Sequence, residues 1–234
     1  MLCNLKHSLI ILLAISALLI FLLMGSCEKV FAQQTIFNVP SADVTEKGHL
    51  FLEPEAQFSD KFGLFTGYVA YGIGHHTALN LTVTGVGTRN IRDELLCLGS
   101  KTYVTLHEKS ETKFTAGYLI PISLRGNGVG GYAYSHFSTR LPKIRTRITS
   151  GVLVATTIIF GRDVVAYIGG IEQPITKKLS LILDYTSGSH PNGLLISGFS
   201  YKLPSNVVLV SGYQIPNNRR IARKGFVIEV VKNL

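Results

Sequence analysis

An all-β fold, a transmembrane antiparallel up-and-down β-barrel of twelve strands behind a cleaved signal peptide, is what the sequence predicts. Three observations carry it. Apolar residues alternate with period two along most of the chain, the alternating runs match the roughly 9 to 11 residues of a tilted bilayer-crossing strand, and tight links alternate with longer ones. Composition bounds the reading. The 234 residues suit one domain. With 46% hydrophobic and 16% charged residues, a net charge of +9 does not describe a disordered polycation. The 23 Gly, 10 Tyr and 12 Phe favour short strands and tight turns over helices.

The chain starts with Lys6 inside Met1 to Ser8, continues as an uncharged apolar run from Leu9 to Met24, and reaches the small-residue site Val30-Phe31-Ala32. A positive region, an apolar region and such a site make an export signal cut after Ala32. Residues 1–32 are thus the signal peptide, 33–47 a periplasmic N-terminal segment and 48–234 the barrel domain. Two other readings stay open. One is a membrane anchor, although about 20 residues are needed to span; the other is lipidation of Cys27, where Met24-Gly25-Ser26-Cys27 departs from a lipoprotein box by Met in place of Leu. Cleavage leaves 21 basic and 13 acidic residues and Cys97 as the one thiol. An exported chain with one cysteine forms no intramolecular disulfide, so sheet closure, a ligand or the membrane must stabilise it.

Between turn signals the candidate strands are 48–58, 64–74, 77–87, 100–108, 112–123, 129–141, 146–161, 164–174, 178–187, 193–203, 206–216 and 224–233. Counts of ten or fourteen stay open. Leu79, Leu81 and Val83 alternate with Asn80, Thr82 and Thr84; Leu179, Leu181, Leu183 and Tyr185 alternate with Ser180, Asp184 and Thr186, broken only by Ile182. A helical spacing shows only as a short turn at Ile91 to Leu98. Links after even strands are tight, such as His75-His76 and Pro204-Ser205, whereas Thr88 to Gly99, Leu124 to Gly128 and Asn217 to Arg223 are longer. That asymmetry fits an outer-membrane barrel with both termini in the periplasm. The rival is a soluble sandwich or lipocalin-like barrel, whose outer face would carry Lys and Glu. Here the second face is mostly Gly, Ser, Thr, Asn and Gln, which places the apolar face outside and the small polar face inside.

The stretch Ile171-Glu172-Gln173-Pro174, Lys177-Lys178-Leu179-Ser180-Leu181-Ile182-Leu183-Asp184-Tyr185-Thr186-Ser187-Gly188, Gly198-Phe199-Ser200-Tyr201 and Gly212-Tyr213-Gln214-Ile215-Pro216-Asn217 resembles the carboxy-terminal hairpins of bacterial outer-membrane transporter-like barrels. These are grouped with the phenol-degradation (MetA-pathway) outer-membrane family. The opening Phe37-Asn38-Val39-Pro40-Ser41-Ala42-Asp43-Val44 is similar to such chains as well. The resemblance implies a barrel and passage of small molecules, and no catalytic residues. One departure is Leu234, where barrels commonly end in an aromatic.

Several motifs carry less than their letters. Gly126-Asn127-Gly128-Val129-Gly130-Gly131 fits G-x-G-x-x-G, but a strand, not a helix, is expected to follow, so no nucleotide or other cofactor is expected. His75-His76 lacks a third ligand close in sequence, and no metal is expected. Arg219, Arg220, Arg223 and Lys224 in one link, and Arg140, Lys143, Arg145 and Arg147 in another, lack interleaved aromatics, which points to lipid head groups and away from nucleic acid.

His136 and Ser138 share one face of a strand and are the minimal pair for acyl transfer on a lipid, although Thr139-Arg140 stands where outer-membrane phospholipase A has Asn-Gly. The plainer reading is a polar rung beside an aromatic girdle of Tyr132 and Tyr134. With apolar faces outward, Glu53, Glu55, Gln57, Asp184, Gln214 and Glu229 turn inward, and closure gathers three carboxylates where the first strand meets the twelfth. Grouped acids along a lumen favour cations.

The sequence thus points to a non-enzymatic outer-membrane barrel acting as a passive channel or transporter for small solutes. The alternatives are a closed structural barrel and, third, a lipid-modifying enzyme using His136 and Ser138. Its partners are outer-membrane lipids, a small-molecule solute and the barrel assembly machinery, with no nucleic acid. N-terminal sequencing of the protein recovered from the outer membrane is expected to begin at Gln33; an intact Met1 would refute the signal.

Overall fold

The computed structural model describes residues 37–87 and 93–234. The expected signal segment and its cleavage site lie outside the described residues. Twelve strands follow in chain order: β1 (Leu50–Ser59), β2 (Gly63–Gly74), β3 (Thr77–Gly87), β4 (Leu95–His107), β5 (Thr112–Ser123), β6 (Tyr132–Arg140), β7 (Arg147–Ala155), β8 (Val164–Pro174), β9 (Leu179–Thr186), β10 (Leu194–Leu203), β11 (Val207–Pro216) and β12 (Gly225–Asn233). One helical turn, α1 (Thr157–Phe160), sits between β7 and β8. Each strand pairs antiparallel with the next, and β12 returns to β1, so the sheet closes into an up-and-down barrel.

The closing seam sets Glu55 opposite Glu229, and Phe51 opposite Asn233. It runs on to the last residue, because Leu50 and Leu234 exchange both backbone hydrogen bonds at 3.0 and 2.8 Å. A closed ring leaves no unpaired strand edge. It also sorts every strand into two faces. On β3, Leu79 and Leu81 are 50% and 40% exposed, while Asn80 and Thr82 between them are buried. The same alternation leaves Leu181 and Leu183 of β9, and Phe226 and Ile228 of β12, exposed around the outer surface.

The tight links work by backbone handedness. His75 and His76 both have positive φ, 50° and 57°, as do Ser205 and Asn206 at 62° and 59°. Consecutive left-handed residues twist a two-strand connection the way the strands twist. Among the described residues, no group of three or more His, Cys, Asp or Glu side chains is placed to hold a metal ion.

Two expected elements differ. Leu95 to Leu98 open β4 and are not part of a helical turn; Leu95 pairs with Thr84 and with Ser123. Their spacing mimics a helix, but β3 and β5 flank the segment and offer ladder hydrogen bonds on both sides. The strand expected over 146–161 ends at Ala155. There the Asp163 carboxylate accepts from the Thr157 N–H and hydroxyl at 3.0 and 2.9 Å, which turns the chain into α1 although its residues read as a continuing apolar run.

Close approach between strands makes particular glycines obligatory. A Cβ on Gly99 would run into the Tyr118 carbonyl of β5, whereas one on Gly131 meets nothing nearer than Thr156 at 3.9 Å. Gly99→Ala is expected to destabilise the barrel by about 1–3 kcal/mol, as overpacking does, and Gly131→Ala to leave it nearly unchanged. Heat-modifiable gel mobility of the folded protein measures both.

Candidate functional site: an occupied lumen

The segment from Phe37 to Lys47 has no ladder of its own, and its contacts place it. The backbone N–H groups of Phe37, Asn38 and Val39 all donate to Asp184 Oδ2 on β9, at 3.1, 2.7 and 2.9 Å. A Cβ on Gly212 of β11 or Gly198 of β10 would meet the Phe37 ring at 2.6 and 2.8 Å. The Ser41 carbonyl accepts from Lys101 Nζ on β4 at 3.3 Å. Asp43 takes Arg147 Nη1 of β7 at 2.5 Å and Lys113 Nζ of β5 at 3.4 Å. Lys47 bridges Gly72 of β2. One short segment that touches strands on every side of a closed ring, through faces opposite to the exposed leucines, lies inside that ring. Asp184 is near the end of β9 that leads into a longer link, and Lys113 and Arg147 begin β5 and β7 beside tight turns. The segment therefore runs along most of the barrel's length.

This accounts for a departure from the expected small polar lining. Ile168, Ile182, Ile196, Val210 and Val227 are buried on the inner wall and form one cluster with Phe37 and Val39. The break in the β9 alternation at Ile182 is an inward contact in this cluster. Across the lumen the wall is polar: Asn80, Thr82, Lys101, Thr115, Thr149, His136 and Ser138 are buried on β3 to β7. The segment matches both sides. Phe37 and Val39 sit in the apolar cluster, while Ser41 and Asp43 meet the cations. At the end with the longer links, Phe160 of α1 stacks on His190 at 4.4 Å and meets Tyr132 edge-on at 6.3 Å, narrowing that mouth.

Asp43 is half-buried, and its partial withdrawal from water by itself raises a carboxyl pKa. The opposing charges of Arg147 and Lys113, the hydrogen bond from Arg147 and the more distant Lys101 outweigh burial and lower it to about 2. It is therefore ionised at neutral pH, and the segment carries a fixed negative charge into the lumen.

The residues singled out from the sequence divide. Glu53, Asp184, Gln214 and Glu229 are buried inward, and Glu55 and Gln57 are half-buried on the same face of β1. Closure brings Glu55 to Glu229, and Gln57 Nε2 donates to Glu55 Oε1 at 2.6 Å. Asp184, on β9 and within electrostatic reach of Glu55 and Glu229, is engaged with the segment, and Gln214 Nε2 donates to the Arg223 carbonyl at 3.2 Å near the mouth. Arg219, Arg220, Arg223 and Lys224 are exposed on their link. The stretch expected as a periplasmic segment is luminal in its described part, 37–47, because its amides and its carboxylate complete charges that the wall buries.

His136 and Ser138 are corrected in direction. Both are buried on the inner face of β6, with Phe137 exposed between them, so they do not face a surrounding lipid. Ser138 accepts from the Thr149 hydroxyl at 3.3 Å, and His136 stacks on Tyr134 with ring centroids 6.0 Å apart. Tyr132 and Tyr134 share that inner face and pack against the luminal cluster, so they form no outer girdle. After Gly126 to Gly131 the chain enters β6, a strand.

Sequence reasoning passed over Lys101 and Lys113, gave Asp43 no role, and assigned Arg147 to a basic link facing lipid, whereas it opens β7 and meets Asp43. The three cations were within reach of period two, since Lys113 shares a face with Thr115, and Arg147 with Thr149. No family model matches the chain, and no curated protein matches it in sequence.

Proposed function

We propose that the protein is an outer-membrane barrel that passes small solutes passively when its N-terminal segment leaves the lumen. What fills the lumen carries this reading: a segment outside the wall's own strands, fixed at separate points by hydrogen bonds and ion pairs, occupies the path. The exposed apolar belt supports a bilayer around it, since a face of Leu, Ile, Phe and Val without charges is costly in water. The exposed Arg219, Arg220, Arg223 and Lys224 would meet anionic head groups at one rim. The export signal, delivery by the barrel assembly machinery and the resemblance to the phenol-degradation outer-membrane family belong to the same proposal. A second reading, a closed structural barrel, is favoured by the full burial of Phe37 and Val39 among wall residues.

Two measurements test this. Leu81→Arg, outward and mid-strand, is expected to cost about 2–4 kcal/mol in membrane assembly, and Leu203→Arg, outward at a strand end, about 0–1 kcal/mol, because the lipid penalty follows depth. Equal tolerance of both would remove the membrane from the account. In planar bilayers Asp184→Asn is expected to raise the open fraction roughly tenfold or more over wild type, since hydrogen bonds to a charged acceptor are worth about 1.5–3 kcal/mol. With it open, replacing Glu53, Glu55 and Glu229 by Gln should lower cation preference. A folded Asp184→Asn protein without conductance would establish the closed barrel instead.

A further inference from the structure

Three cations converge on the inner wall of β4, β5 and β7. Arg147 and Lys113 each take a different oxygen of Asp43, at 2.5 and 3.4 Å, and Lys101 Nζ holds the carbonyl of Ser41 two residues earlier at 3.3 Å. Lys113 Nζ also stands 4.2 Å from the centroid of the Tyr103 ring, over its face. Among the wall's own carboxylates, Glu172 lies 3.9 Å from Arg147 Nη1, beyond hydrogen-bond distance, and Glu53 acts on Lys101 through its charge. The carboxylate that completes the wall thus comes from the segment filling the lumen. Its neighbours Ala42 and Val44 are buried beside it, so the filled space continues from the charged group into apolar contacts.

We infer that Asp43 is an internal ligand in a site that takes the carboxylate of a small organic anion when the segment withdraws. The inference rests on the displaceable segment of the preceding reading and names the class of solute that competes with it. Arg147 and Lys113 clamp the two oxygens, and the volume given up by Ala42 and Val44 takes an apolar body. Entry of such a solute and departure of the segment are then one exchange of carboxylate for carboxylate, which leaves the charge balance at the wall unchanged. That exchange avoids the penalty of breaking a buried pair by removing one partner.

The full-length protein, folded in detergent, gives the test, with sodium benzoate as probe and sodium chloride and sodium phosphate at matched ionic strength. Asp43→Ala is expected to lower the unfolding temperature. Benzoate should restore at least half of the loss in a saturable manner, while chloride restores little and wild type hardly responds. Adding Arg147→Gln to Asp43→Ala should abolish the restoration. Asp43→Asn, which keeps the side-chain shape, replaces Asp43→Ala if the latter does not fold, with the same outcomes expected. Benzoate acting no better than chloride, or restoration surviving Arg147→Gln, overturns the site, and phosphate matching benzoate overturns the assignment to carboxylates. Because binding is read without a current, its failure is distinct from an absence of conductance in bilayers.

Discussion

Antiparallel pairing of β1 with β12 is the interaction on which the rest of the structure depends. Without it the sheet has two open edges and no interior. With it, every second side chain is committed to an enclosed space that must be filled or hydrated. The inner wall holds ionisable groups on both sides of that space: buried Asp184, Glu53 and Glu229 on one, buried Lys101 and half-buried Arg147 on the other. A buried charge is tolerated when a partner completes it. The segment from Phe37 to Lys47 completes two of these groups, through amide donors at Asp184 and a carboxylate at Arg147.

The segment's match to the lumen is chemical along its whole length. Its first residues present N–H donors and apolar side chains to a wall of Ile and Val that carries Asp184. Its middle presents a carbonyl and a carboxylate to lysines and arginine. Turning it end for end would set Asp43 against Asp184, and shifting it along the barrel would separate Asp43 from Arg147. Polar points therefore fix its register, while burial of Phe37 and Val39 adds affinity that does not depend on register.

The wall was legible in the sequence because its outward half is regular. Leu79 and Leu81, or Leu181 and Leu183, announce a strand and a face, and tight links at every second connection announce up-and-down order. The boundaries missed were those where apolar residues continue past the ladder, as at Ile158 and Ile159 beyond β7. The inner acids followed from the same alternation, and closure set Glu55 beside Glu229 as the strand count required. What could not be read was the segment. Phe37 to Asp43 has no period, and its partner Asp184 lies 147 residues away. Ile182 was the local trace of it, an apolar residue on a face otherwise polar, which makes sense only with an apolar occupant opposite.

The distance along the chain between Phe37 and Asp184 has a consequence for the order of events in folding. Fixing that contact closes a loop of nearly the same chain that the β1–β12 seam must close. Loop entropy rises only with the logarithm of length, about 0.6 kcal/mol per doubling, but its main cost falls on whichever long-range contact forms first. The second then closes only the short remainder between Val39 and β1, and between β9 and β12. Luminal segment and seam are thus two latches on one hoop: setting either brings the other within reach. A change that loosens the segment at Asp184 would therefore slow ring closure as well as open the lumen.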